Sequence, residues 1–240
     1  PPTNRNNDEK QLLPPLLVKA HGGPTSQTST TFRLVIQFWT SRGFAVLDVD
    51  YGGSTGYGKE FRQSLQGKWG IVDVNDVCAG ANYCVQQGWV NPQWLCIDGS
   101  SAGGYTTLAA LTFENVFSAG ASLYGVSDLS ALAEDTHKFE SRYLDGLVGK
   151  YPQDKAVFEE RCPILFTEKL NCPILLLQGT EDKIVPPNQA ERMFEALKEK
   201  GLSTSLVLYK GEQHGFRKKE NIRHSLNAEY SFFCQVFGIE

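Results

Sequence analysis

Six short apolar runs, separated by segments with helical periodicity, constrain this sequence more than any other feature. They are Leu16 to Ala20, Phe44 to Val49, Trp94 to Ile97, Ser118 to Tyr124, Pro173 to Gln178 and Ser203 to Tyr209. Each is short and mostly apolar, the pattern of a strand covered on both faces. Helices are expected at Thr30 to Arg42, Ile71 to Gln87, Ser101 to about Thr112, Asn188 to Lys200 and near Asn221 to Val236. In the first, Phe32, Val35, Ile36 and Trp39 share one face and Gly43 supplies the stop. Asp50 to Gly70 is glycine-dense and reads as loop, and Gly125 to Asn171 as a long irregular segment. Strands alternating with helices predict an α/β fold with a mostly parallel sheet, helices on both faces, and any site beyond the carboxyl ends of the strands.

A chain of 240 residues suits one such domain, taken as residues 1–240 with a polar lead-in over residues 1–13. Hydrophobic residues at 41% and charged residues at 21% are the balance of a folded, soluble chain. The net charge of −4, with no long basic block, points away from nucleic acid and acidic membrane surfaces. No apolar run approaches the roughly 18 residues of a membrane span. Six cysteines without a paired Cys-Xaa-Xaa-Cys, and no N-glycosylation sequon, suggest a reducing, cytoplasmic compartment. No metal-binding spacing occurs, so no cofactor is implied. Gly53 to Glu60 nearly spells a phosphate loop, but Glu60 stands where a magnesium-binding hydroxyl is needed and would repel phosphate.

The chemistry centres on Gly99-Ser100-Ser101-Ala102-Gly103-Gly104, which follows one expected strand and opens a helix. That is the context of a nucleophile elbow, whose sharp turn demands small residues two before and two after the central serine, here Ser101. A serine hydroxyl needs a base, and the base needs a carboxylate to hold its tautomer. Asp182 follows the strand Pro173 to Gln178, and His214 follows Ser203 to Tyr209. The order Ser101, Asp182, His214 is that of an α/β-hydrolase. Competitors are Glu181 and Asp128 for the acid and His21, His137 and His224 for the base, each less well placed in the chain order. With this base, activity is expected to rise as His214 loses its proton.

His21-Gly22-Gly23-Pro24, Asp50-Tyr51-Gly52-Gly53-Ser54-Thr55-Gly56-Tyr57-Gly58, the Ser101 elbow, Gly179-Thr180-Glu181-Asp182 and His214-Gly215-Phe216 together resemble the catalytic domain of the prolyl oligopeptidase family. The likeness is to its acylaminoacyl-peptidase and dipeptidyl-peptidase-like branch, over about Pro14 to Phe237. It implies Ser101, Asp182 and His214 as the triad and hydrolysis of peptide or aminoacyl-amide bonds through an acyl-enzyme. For the oxyanion, the backbone N–H of Ala102 is one donor. The second is either an N–H of Gly22 or Gly23, as in a lipase-like loop, or the Tyr51 hydroxyl, which the resemblance favours. Phe139, Glu140, Arg142 and Tyr143 fall where relatives build the pocket for the residue before the scissile bond, and the aromatics suggest an apolar side chain there.

The family also carries a β-propeller and further sheet strands ahead of His21, where only twenty residues stand here. The chain thus reads as a piece of a longer protein or a shortened relative, and Phe44 to Val49 as an unpaired edge that favours a homo-oligomer. A carboxylesterase or lipase is the rival reading, since one fold and triad serve esters as well as amides. A binding module on a hydrolase scaffold is the third.

Overall fold

The computed structural model describes residues 13–135 and 142–239. All six apolar runs form strands: β1 (Leu16–Ala20), β2 (Ala45–Val49), β3 (Leu95–Ser100), β4 (Ala119–Leu123), β5 (Ile174–Gly179) and β6 (Thr204–Tyr209). They build one sheet in the order β2-β1-β3-β4-β5-β6, with every pair parallel. The helices among the described residues are α1 (Leu34–Thr40), α2 (Lys59–Gln63), α3 (Val72–Gln86), α4 (Ala102–Phe113), α5 (Leu129–Asp135), α6 (Tyr143–Leu147), α7 (Lys155–Glu160), α8 (Asn188–Glu199) and α9 (Lys219–Phe237).

Side chains of a strand alternate between its faces, and the continuous apolar runs serve both. Leu16, Val18 and Ala20 join one core with Ile97, Ile174 and Leu176, closed by Val74, Val77 and Ala81 of α3, Leu108 and Leu111 of α4 and Met193 and Leu197 of α8. Leu17, Cys96, Ala119, Ala121, Leu175 and Leu177 face the other way, onto Trp39 of α1 and Phe233 and Phe237 of α9. This two-sided burial is what makes an all-parallel sheet stable. β2, half-buried along its length, forms one edge.

Three expectations need correction. The first helix begins at Leu34 rather than Thr30, because Arg33 is extended and its guanidinium reaches Asp48 of β2 at 2.9 Å. Phe32 is consequently exposed rather than on a buried face. The loop Asp50 to Gly70 contains the short α2, and the irregular segment 125–171 contains α5, α6, α7 and a 3-10 turn at Pro163–Lys169. Helices this short take their stability from packing, so their periodicity is weak.

Candidate active site

Ser101 sits between β3 and α4 with φ 57° and ψ −120°, a conformation non-glycine residues rarely adopt. The turn is held because strand and helix approach closely. A Cβ at Gly103 would overlap the Ala20 carbonyl oxygen and lie 2.8 Å from that of His21. A Cβ at Gly99 would strike the Gly103 carbonyl, and one at Gly104 would lie 2.7 Å from the Gly125 Cα. The Ser101 N–H donates to Leu123 O at 2.9 Å, tying the turn to β4. Ala102 opens α4, so its N–H has no acceptor within the helix.

The carboxyl ends of β5 and β6 bring two further groups to this turn. His214 Nε2 lies 2.7 Å from Ser101 Oγ, and His214 Nδ1 lies 2.8 Å from Asp182 Oδ2. A carboxylate only accepts, so Nδ1 carries the proton, Nε2 is the acceptor and the Ser101 hydroxyl donates to it. Asp182 Oδ1 accepts the backbone N–H groups of Ile184 at 2.9 Å and Val185 at 3.0 Å, which orients a carboxylate that is fully buried. The His214 ring packs edge-on against Tyr124.

Beside Ser101 and His214 opens a cavity of about 160 Å³, lined chiefly by Trp69, Val126, Leu132, Tyr143, Leu144 and Val185. Gly23, Pro24 and Ala102 also line it. A larger cavity of about 670 Å³ shares Gly23 with it but is lined by the ion pairs Lys19–Asp98 and Arg33–Asp48. The smaller one touches the reactive atoms and is apolar, the character of a side-chain pocket.

The model of the prolyl oligopeptidase family matches residues 30–240. This chain belongs to that family. A solved structure of a puromycin-hydrolyzing peptidase from Mycobacterium tuberculosis is 47% identical, with a TM-score of 0.95 over 97% of this chain and 35% of its own. Dipeptidyl aminopeptidase BIII of Pseudoxanthomonas mexicana is 30% identical over 97% of this chain and 35% of its length. Acylamino-acid-releasing enzyme 1 of Oryza sativa subsp. japonica is 30% identical over 86% of this chain and 28% of its length. The chain thus spans about a third of the length of these relatives. The sheet and elbow described above are the α/β-hydrolase catalytic fold of the prolyl oligopeptidase family.

The rest of the site departs from expectation in instructive ways. Tyr51 was expected to offer its hydroxyl to the oxyanion. It is instead fully buried, stacks on the His21 ring at 4.1 Å and donates its hydroxyl to His21 O at 2.8 Å. Its hydroxyl points at that carbonyl, and Tyr51 is not among the described residues lining the cavity, whereas Gly23 is. His21 Nδ1 lies 2.8 Å from Gly22 O and Nε2 2.7 Å from Ser54 Oγ, and burial lowers its pKa. The neutral ring and Tyr51 therefore grip the carbonyls of the His21–Gly22 turn. We expect Tyr51→Phe to change kcat by less than about threefold and to lower stability by about 1 kcal/mol, read by steady-state kinetics and thermal melts. A loss of kcat on the order of 10²-fold would return Tyr51 to the oxyanion role.

Of the pocket residues read from sequence, Tyr143 lines the cavity and donates its hydroxyl to Gly23 O at 3.1 Å while accepting from Thr25 Oγ1 at 2.9 Å. Arg142 is exposed and not among the described residues lining it. Phe139 and Glu140, like His137, lie outside the described residues. The competitors are engaged elsewhere: Asp128 with Arg192 at 3.0 Å and His224 with Tyr209 at 2.9 Å. Sequence reasoning missed Trp69, Val126 and Leu144 as cavity walls. An aromatic within a glycine-rich loop, Gly67 to Gly70, was the one available signal.

Proposed function

We propose that this chain is the catalytic portion of a longer serine peptidase that cleaves the amide after an apolar residue near the amino end of a peptide or aminoacyl amide. The observation that carries this reading is the relay Ser101 Oγ–His214 Nε2 and His214 Nδ1–Asp182 beside an apolar cavity. In this reading His214 takes the Ser101 proton as Oγ attacks the carbonyl carbon, and Asp182 stabilises the imidazolium that forms. The developing oxyanion accepts from the N–H groups of Ala102 and Gly23, each worth on the order of 3 kcal/mol. His214 then protonates the leaving amine, and water repeats the sequence on the acyl-enzyme.

Peptide and aminoacyl-amide substrates are supported by the relatives' names, a puromycin-hydrolyzing peptidase, a dipeptidyl aminopeptidase and an acylamino-acid-releasing enzyme. The test is a matched panel of aminoacyl, N-acyl-aminoacyl and dipeptidyl amides, with puromycin and short acyl esters beside them, given to the full-length protein and to its Ser101→Ala variant. Amide turnover lost in the variant is the expected result, and the best amide names the branch. Turnover confined to esters would overturn the peptidase reading in favour of a carboxylesterase.

A further inference from the structure

The wall of the apolar cavity contributed by Trp69 is held from behind by a buried carboxylate that takes no part in the proposed chemistry. Asp73, in the first turn of α3, is fully buried. Its Oδ1 accepts the N–H of Gly70 at 2.6 Å, and its Oδ2 accepts the hydroxyl of Thr106, on α4, at 2.6 Å. No cation pairs with it among the described residues: desolvation raises its pKa to about 6, opposed by these hydrogen bonds.

What those bonds hold is the residue after Trp69. Gly70 has φ +85°, and a Cβ there would collide with the Tyr105 hydroxyl. The Trp69 ring packs on Tyr105 at 4.6 Å between centroids. The backbone N–H of Trp69 donates to Leu147 O at 3.1 Å, and the Trp69 carbonyl accepts from Arg161 Nη1 at 3.1 Å. Leu147 ends α6, which supplies Tyr143 and Leu144 to the same cavity. Asp73 thus links α4, the helix opened by the Ser101 elbow, to the Trp69 turn and through it to α6.

We infer that Asp73 is a positioning residue for substrate selection: by clamping Gly70 against α4 it sets the distance between the Trp69 wall and the nucleophile, and so the size of apolar side chain the cavity accepts. This rests on the proposed peptidase reading for its substrate, but not for its geometry. A buried clamp of this kind acts on binding of the side chain rather than on proton transfer, so its loss falls on KM.

The experiment compares Asp73→Ala, Asp73→Asn and Thr106→Val in the full-length protein. In Asp73→Ala, KM for amides of large apolar residues rises by roughly tenfold, KM for the glycyl amide changes little, and kcat stays within about threefold. Asp73→Asn restores the wild-type pattern, because the amide oxygen still accepts from Gly70 while its NH₂ donates to Thr106 Oγ1, whose proton turns to Ala102 O, 3.2 Å away. Thr106→Val removes only the Oδ2 partner and shifts KM in the same direction by less. It also serves as the test where Asp73→Ala does not fold. Hydrogen exchange of the Gly70 amide, followed by mass spectrometry, is the readout that needs no turnover: protection is lost in Asp73→Ala and kept in Asp73→Asn. Unchanged Gly70 protection in Asp73→Ala, or a kcat loss equal across all amides, would overturn the inference. A protein that cleaves no amide yet loses Gly70 protection would sink the peptidase reading alone.

Discussion

Ser101→Ala is expected to lower kcat for amide hydrolysis by a factor on the order of 10⁶ with KM nearly unchanged. The methyl group removes the atom that attacks, while the cavity walls, the Ala102 and Gly23 N–H groups and the His214–Asp182 pair all remain. His214→Ala should cost about as much, because an unassisted hydroxyl is hardly nucleophilic at neutral pH. Asp182→Asn should cost less, on the order of 10⁴, since it leaves the ring in place with the wrong tautomer favoured. Groups that act as one unit do not add: Ser101→Ala combined with His214→Ala should be no slower than either alone. Single-turnover measurements with a chromogenic amide check all four. A Ser101→Ala protein retaining a tenth of wild-type turnover would show that Ser101 is not the nucleophile, and a fully additive double variant would show that His214 does not act through it.

Gly103→Ala should be the most damaging conservative change to stability. The added methyl group points at backbone, overlapping the Ala20 carbonyl oxygen and lying 2.7 Å from its carbon and 2.8 Å from His21 O. Neither neighbour is the end of a flexible side chain. Relief requires α4 to move away from β1, at the point where His21 O also receives the Tyr51 hydroxyl and the Gly22–Gly23 turn begins. Overpacking of this kind costs about 3 kcal/mol or more, which for a domain of this size corresponds to a fall in Tm of roughly 6–12 °C. Any folded remainder should also lose kcat, since the Ala102 and Gly23 N–H groups sit on the two elements forced apart. Gly146→Ala is the control, because a Cβ there meets nothing within 4 Å. Equal melting temperatures for the two variants would refute the close-approach account of the elbow.

The sequence was most informative where one local rule governs the outcome. A strand covered on both faces is mostly apolar, so all six strands could be read, with ends displaced by at most three residues. An elbow needs glycine on both sides of the serine, so Ser101 could be picked out and Ser100 set aside. Chain order after successive parallel strands was enough to single out Asp182 and His214, because such a sheet delivers every strand's carboxyl end to the same side. Local signals failed where several segments share an outcome. Phe32 satisfied the helical period of α1, yet the pairing of Arg33 with Asp48 draws the chain out straight before the helix can begin.

Tyr51 shows the limit most plainly. Its position at the end of a strand suits a catalytic hydroxyl and a structural one equally well. Only the packed turn, with the His21 carbonyl 2.8 Å away, decides where its single proton goes. The cavity walls are a similar case, since Trp69, Val126, Tyr143 and Val185 come from four separate segments whose meeting no periodicity records. By itself the sequence determined which segments are strands and which are helices, and the order in which a serine, an aspartate and a histidine follow those strands, because each is written in a local pattern of residues along the chain. Tertiary structure alone decided which side chains line the cavity beside Ser101 and where the Tyr51 hydroxyl points, because those depend on distances between residues that only folding brings together.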